Sequence, residues 1–153
     1  MAKEYEIDEI DREIIKILSF DSKTNYREIS KRIGTSLGTI HNRINNLKEK
    51  QIINQFSLNI DAKKIGYRVT AIILIQIEGK HIQQVQEKIA NERNIYAIYD
   101  TTGEWDSIII GKFKTIDNLN DFIKKINKYD HIKKTATQIC LNIIKEVNFL
   151  PLD

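Results

Sequence analysis

The hydrophobic and polar positions of the first 50 residues follow the period of an α-helix. In the first segment Ile10, Ile14 and Ile17 recur at intervals of three and four residues, so one helix face is apolar. Two further segments repeat this spacing, each with a polar face opposite the apolar one. The pattern therefore predicts three amphipathic helices, over about residues 8–20, 26–33 and 36–50.

The second and third predicted helices meet at a tight turn. Gly34 stands where a helix C-terminus favours a residue that tolerates left-handed dihedral angles, and Ser36 is a typical N-cap. In the third helix Ile40, Ile44 and Leu47 form a single apolar stripe. Two short helices joined in this way indicate a DNA-binding helix-turn-helix, in which the third helix would be the recognition helix.

The opposite face of the third helix carries groups that can hydrogen-bond to DNA. Gly38 allows close approach of a backbone, and Arg43 is the strongest candidate for a bidentate contact to guanine. For this helix taken alone, an ordinary solvated polar face is the alternative. The predicted DNA-binding residues are Ser36, Gly38, Thr39, His41, Asn42, Arg43 and Asn46.

Charge favours the DNA-binding interpretation because it is unevenly distributed along the chain. Residues 1–22 hold three basic and seven acidic side chains, whereas residues 23–55 hold seven basic and two acidic ones. The positive segment coincides with the predicted helix-turn-helix, where it would attract phosphates. The formal net charge of the whole chain, +3, conceals this contrast.

Length and cysteine usage limit the class of protein. At 153 residues and 41% hydrophobic, the chain can form one domain or two small ones, and we expect two. The single cysteine, Cys140, cannot form an internal disulfide, and no apolar run approaches the roughly 18 residues that span a membrane. These features predict a cytoplasmic protein without a membrane partner, and the DNA-binding interpretation adds that it is nucleoid-associated.

The periodicity changes after the third helix. We expect a linking strand or hinge over residues 54–67, between a helix-turn-helix domain at 1–53 and a second domain at 68–153. The second domain alternates strand-like and helix-like segments in the order βαββαβ, which predicts an α+β fold with a ferredoxin-like antiparallel sheet and both helices on one face. The strands are predicted over about 68–78, 95–101, 107–113 and 132–145, and the helices over 81–93 and 116–129.

The first strand of this domain is apolar on both faces. Ile73 and Ile75 alternate with Ile72 and Leu74, so each face of the sheet centre is hydrophobic. Two helices cover only one face, and a second copy of the same sheet is the simplest cover for the other. We therefore predict a two-fold dimer through the second domain, which also suits a reader of two DNA half-sites.

These motifs together resemble the leucine-responsive regulatory protein/AsnC (Lrp/AsnC) family of bacterial and archaeal transcription regulators. The resemblance rests on SLGTIHNRINNLKEKQII, NIDAKKIGYRVTAIILIQIE and TTGEWD, in that order. It implies a regulator that binds promoter regions, including that of its own gene, as a dimer that assembles further into tetramers or octamers. It also implies a small effector, commonly an amino acid, bound between dimers. One departure is Gln51, where members often have glycine.

Carried over residue by residue, the resemblance implies an effector site in the second domain. A turn at Gly103 would allow close backbone approach, Asp106 could face an α-ammonium, and Asp121 could contact a polar effector side chain. An ordinary β-turn and a solvated helix residue are the respective alternatives for Gly103 and Asp121. The implied effector residues are Thr101, Thr102, Gly103, Glu104, Asp106, Asp121, Thr135 and Thr137.

Two other functions fit parts of the pattern. Archaeal sirohaem decarboxylases resemble the same two-domain architecture, but His41, His81 and His131 are scattered and no cluster has metal-ligand spacing. An RNA-binding βαββαβ module needs aromatic side chains on its central strands, where SIIIGKF offers only Phe113. We therefore predict a DNA-binding regulator that has an amino-acid effector and no enzymatic activity, metal or cofactor.

Overall fold

A computed structural model describes residues 5–147. Within this range the chain divides into two compact units, the first up to Asn59 and the second over Ile60–Glu146. No helix in the described range is long and apolar enough to cross a membrane. The helices are α1 (Glu9–Phe20), α2 (Tyr26–Ile33), α3 (Leu37–Glu49), α4 (Ile82–Ala90) and α5 (Ile116–Ile126), and the strands are β1 (Val69–Ile77), β2 (Ile95–Asp100), β3 (Ser107–Phe113) and β4 (Ile132–Ile139).

In the first unit, each helix begins at a side-chain N-cap. Asp8, Asn25 and Ser36 each accept a hydrogen bond from the backbone N–H three residues later, at 2.9, 2.9 and 3.0 Å. Gly34 ends α2 in the left-handed conformation, with φ of 77°. The three helices bury one core, which confirms the predicted apolar stripe and consists of Ile14, Leu18, Ile29, Ile40, Ile44 and Leu47.

Helix α3 ends in a Schellman motif although it lacks the usual glycine. Gln51 is left-handed, with φ of 57°. Its N–H donates to the Lys48 carbonyl, and the Ile52 N–H donates to the Leu47 carbonyl, both at 2.9 Å. Leu47 and Ile52 also belong to the same hydrophobic cluster. The turn therefore forms with glutamine in place of glycine, at the cost of a strained backbone at Gln51.

We expect Gln51→Gly to stabilise the first unit by about 0.5–1 kcal/mol, because glycine relieves the left-handed strain but has more conformational freedom when unfolded. Denaturant unfolding followed on resolved NMR signals of α3 would measure this gain. Gln51→Ala is the matched control, since alanine keeps the strain and should give no gain. Equal stabilities for the glycine and alanine variants would contradict the explanation.

The second unit is a four-stranded antiparallel sheet with the order β2-β3-β1-β4. Side chains of β1 alternate between buried and half-buried. The buried set, which includes Ile73 and Ile75, shares a core with Val85 of α4 and Phe122 of α5. Both helices therefore pack on one face of the sheet, which confirms the predicted α+β, ferredoxin-like fold.

The other face of the sheet, here called the open face, is also largely apolar. Along the two central strands, Ile72 pairs with Ile110 and Leu74 pairs with Ile108. Ala136 of β4 pairs with the other side of Leu74. Directly paired residues of antiparallel strands point to the same face, so these side chains form a continuous apolar surface that neither helix covers.

Two predicted strands differ from the structure. The linking segment over residues 54–67, predicted as a strand or hinge, contains no strand within the described residues, so only the hinge alternative stays a prediction. The last strand ends at Ile139 and not near Lys145. The pairing stops there because its partner strand β1 begins at Val69. The last backbone hydrogen bond between the two segments is donated by the Cys140 N–H to the Thr70 carbonyl.

The predicted start of the fourth helix is also shifted. A 3₁₀ turn over Gly79–His81 precedes α4, so the α-helix itself begins at Ile82. This turn places residues 78 and 81 close to the start of β4, and the consequence for their side chains is described below.

Candidate DNA and effector sites

The exposed face of α3 lies opposite its core stripe. Gly38, His41, Asn42 and Asn46 are all exposed, as predicted from the sequence. Asn45 is exposed as well and was missed by sequence reasoning, although it follows His41 by one helical turn. Its amide nitrogen lies 3.1 Å from His41 Nδ1. Two carboxamides and an imidazole thus stand together where a base edge could meet them.

The N-terminus of α3 is built from Ser36 and Thr39. Ser36 Oγ accepts the Thr39 N–H and lies 2.8 Å from the Thr39 hydroxyl. Because the first intrahelical bond is from Ile40 to Ser36, the N–H groups of Leu37 and Gly38 precede the helical ladder. These amides and the positive end of the helix dipole suit a phosphate oxygen.

Arg43 does not lie on the exposed face, and its predicted guanine contact receives no support from the geometry. Its guanidinium contacts Asp8 and lies 3.2 Å from the Asp11 carboxylate, both at the start of α1. Arg43 is three residues after Ile40 and four before Leu47, so helical spacing puts it at the border of the core. The ion pairs hold α3 against α1.

The free energy of unfolding at acid pH should depend on the ion pair between Arg43 and Asp8. The Asp11 N–H and then the Arg43 guanidinium stabilise the Asp8 carboxylate and hold its pKa below the usual value. A lowered folded-state pKa contributes stability that is fully present above the ordinary aspartate pKa and is lost as pH falls through the lower value. The stability difference between wild type and Arg43→Ala should therefore shrink as pH falls through that window.

Denaturant unfolding at several pH values, followed on NMR signals of α3, measures this dependence. Arg32→Ala is a useful control, because Arg32 pairs only one turn away within α2, with Glu28. It should show little effect on the α1–α3 contact. A pH-independent cost of Arg43→Ala would contradict the role assigned to Asp8.

In the second unit, the loop between β2 and β3 is held by hydrogen bonds. Thr101 Oγ1 donates to the Trp105 carbonyl at 2.7 Å. The Asp106 carboxylate accepts the Ile77 N–H at 2.7 Å, and the Asp106 N–H donates to the Ile75 carbonyl at 3.0 Å. Asp106 thus anchors the loop to β1, and the predicted contact with an α-ammonium competes with this role.

The tip of this loop is exposed and consists of Thr102, Gly103 and Glu104. Gly103 has φ of 111°, a conformation that other residues rarely adopt. The Glu104 carbonyl accepts a hydrogen bond from Gln76 Nε2 at 2.7 Å, while its carboxylate lies 3.9 Å from Lys134 Nζ. The tip therefore lies beside the end of the sheet.

The implied effector residues fall on opposite faces of the sheet. The loop tip contacts Gln76, whose side chain belongs to the open face by alternation along β1. Thr135 and Thr137 pair with Ile75 and Ile73, so they share the helix-covered face, as the period-two prediction requires.

Asp121 is exposed on α5 and belongs to the helix-covered side. On that side Thr135 Oγ1 donates to Asn127 Oδ1 at the C-terminus of the same helix, at 3.0 Å. The structure thus arranges the implied residues as two groups, the loop over 101–106 and a set on β4 and α5. It does not bring them into one pocket within a single chain.

A further cluster was missed because its members are far apart in sequence. His81 and His131, described above as scattered, are stacked with ring centroids 3.4 Å apart, and Glu78 Oε2 lies 3.0 Å from His131 Nδ1. The hydrogen bond with His131 holds the pKa of Glu78 below its usual value. In the sequence, the only indication of this cluster is that Glu78 and His81 are three residues apart. That spacing becomes informative only when the fold brings His131 next to both residues.

Both units match known protein families. Residues 7–54 match winged helix-turn-helix DNA-binding domains, and residues 70–148 match the Lrp/AsnC ligand binding domain. The chain belongs to the Lrp/AsnC family. The family resemblance stated from the sequence motifs is therefore confirmed, and with it the assignment as a transcriptional regulator with a helix-turn-helix and a ligand-binding domain.

Individual relatives agree with the family assignment. An HTH-type transcriptional regulator of Pyrococcus furiosus is 40% identical over 141 residues, which cover 92% of this chain and 95% of that protein. The structure of E. coli AsnC has a TM-score of 0.87 and 31% identity, covering 96% of this chain and all of that one. A Neisseria meningitidis transcriptional regulator in complex with L-Met has a TM-score of 0.89 over 97% of this chain and 98% of its own; at 18% identity it shows the shared fold.

Proposed function

We propose that this Lrp/AsnC protein is a sequence-specific regulator that binds promoter DNA through α3 and responds to an amino-acid effector. The exposed face of α3 is the observation that carries the DNA-binding part. This face presents His41, Asn42 and Asn45, and it begins at the helix N-terminus with its free backbone N–H groups. The buried stripe on the opposite side of α3 holds the helix in the core of the first unit. Carboxamides in this position can form bidentate contacts with adenine in the major groove.

Exposed basic residues of the first unit favour DNA binding near α3. Lys23, Arg27 and Lys31 are exposed in and just before α2, the helix that precedes the recognition helix. Arg43 contributes to folding, so phosphate attraction rests on these other basic residues and on the N-terminus of α3. Salt should therefore weaken binding to every DNA sequence, while the α3 face discriminates among sequences.

Fluorescence anisotropy with a labelled fragment from upstream of the protein's own gene tests this function. Unrelated competitor DNA and two salt concentrations separate specific binding from charge attraction. Binding that survives the competitor supports a sequence-specific regulator. Weak binding that disappears with salt and competitor for every promoter fragment tested would refute sequence specificity.

A two-fold dimer formed through the open face completes this proposal. The apolar surface over β1 and β3, centred on Leu74 and Ile108, needs a cover of similar shape and chemistry, which a second copy supplies. A dimer would carry two copies of α3 and could contact two half-sites. Higher assemblies, tetramers or octamers, are the further expectation from the family.

The amino-acid effector belongs between chains in this proposal. The loop over 101–106 and the set of Asp121, Thr135 and Thr137 lie on different faces of the sheet, so one ligand touching both groups requires more than one chain. The shared fold of a protein that binds L-Met is compatible with this ligand class. Calorimetry with the twenty amino acids tests the proposal, and absence of heat with all of them would refute it.

A further inference from the structure

Three side chains converge outside both candidate sites, at one end of the β1–β4 ladder. Glu78 directly follows β1, His81 ends the 3₁₀ turn Gly79–His81, and His131 directly precedes β4. One ligand-type atom from each lies within 4.8 Å of the other two. The cluster therefore combines two imidazoles and one carboxylate.

The backbone holds the three residues in this arrangement. The Glu78 N–H donates to the His131 carbonyl at 2.9 Å, and the His81 N–H donates to the Glu78 carbonyl at 2.8 Å. Residues three apart in a 3₁₀ turn also lie on the same side of it, which brings His81 over Glu78. The side chains of Glu78 and His131 are 48% and 33% exposed, so an ion can reach them from solvent.

The backbone of His131 places its ring against His81. Its φ is 73°, in the left-handed region that histidine, asparagine and aspartate adopt more often than most other residues. The ring stacks on His81 with an interplanar angle of 6°. Each imidazole can bind a metal ion through one ring nitrogen, so the two adjacent rings offer two nitrogen ligands beside the Glu78 carboxylate.

We propose that Glu78, His81 and His131 bind a divalent first-row transition-metal ion of the zinc class, with water completing its coordination. Two histidines and a carboxylate are a ligand set that Zn²⁺ accepts, whereas Mg²⁺ and Ca²⁺ prefer oxygen ligands. Two ligands at about 2.1 Å from one ion lie at most about 4.2 Å apart, so the ligand atoms must approach one another by less than about 1 Å. Because the two rings are parallel, binding also requires them to rotate until one nitrogen of each points at the ion.

Zn²⁺ titration of the full-length protein, produced without a histidine tag, tests this site. Competition with a chromophoric chelator should give one Zn²⁺ per chain, and excess Mg²⁺ should not displace it. Co²⁺ should give visible absorption bands that disappear when Zn²⁺ is added. Zn²⁺ should also raise the unfolding temperature, because it binds the folded state.

His131→Asn is the decisive variant, because asparagine tolerates the left-handed conformation but supplies no imidazole. We expect at least about a hundred-fold weaker Zn²⁺ binding, since even outer-shell changes cost 10–100-fold. Glu78→Gln should also weaken binding, whereas Glu87→Gln, on the exposed side of α4, and His41→Asn, in the first unit, should leave it unchanged.

Retained folding of the variant is checked by its unfolding temperature without metal. No stoichiometric Zn²⁺ binding by the wild type would overturn the proposal. Equal Zn²⁺ affinity of the wild type and His131→Asn would do the same. DNA binding and amino-acid binding are measured separately, so failure of this proposal leaves the regulatory function standing.

Discussion

Asn42→Ala should lower affinity for a specific promoter site by about 5- to 150-fold, the equivalent of 1–3 kcal/mol for a bidentate base contact. Asn42 lies in the middle of the exposed face of α3, opposite the buried Ile40 and Ile44. Alanine is a better helix former than asparagine, so the helix itself should persist. The loss should therefore appear in sequence discrimination and not in folding.

Anisotropy titrations on the specific site and on unrelated DNA at one salt concentration measure this effect. Asn120→Ala is the matched control, because Asn120 is an exposed asparagine on α5 in the other unit. An equal loss on both DNAs would assign Asn42 to a phosphate contact. Unchanged affinity on both would remove Asn42 from the interface.

Leu74→Glu should dissociate the proposed dimer, with an association constant reduced at least about a hundred-fold. Leu74 lies on the open face between Ile108 of β3 and Ala136 of β4, so its replacement leaves the helix-covered core intact. A buried carboxylate from each chain would meet an apolar partner surface or its own symmetry mate. DNA affinity should fall as well, because two linked copies of α3 bind with avidity.

Sedimentation equilibrium of the wild type and Leu74→Glu measures the change. Asn120→Glu adds the same charge to an exposed helix position and should leave assembly unchanged. Circular dichroism confirms that the variant is folded. A wild type that is monomeric at micromolar concentration would refute the open-face dimer before any variant is made.

The sequence predicted most of the fold because its signals were local. The N-cap at Ser36, the left-handed Gly34 and the apolar stripe of α3 are all set by neighbours within one or two helical turns. The alternation of β1 likewise fixes which side chains face the helices. These features need no knowledge of distant residues, so the helix bounds were predicted to within about two residues in the first unit.

The features that the sequence did not reveal depend on distant partners. Residues 54–60 alternate like a strand but lack a neighbouring strand in the described chain, and β4 ends where β1 no longer pairs with it. Arg43 looked free until α1 placed two carboxylates beside it. His131 is fifty residues from His81, so only the register of β1 and β4 makes them neighbours.

The ion pairs between α3 and α1 separate folding from recognition on a single helix. Arg43 forms ion pairs with Asp8 and Asp11, while the residues on the opposite face are exposed. A new operator preference can therefore be installed by exchanging that face alone, with Arg43 kept as a fixed element of the scaffold. The positions to exchange in such a graft are Gly38, His41, Asn42 and Asn45.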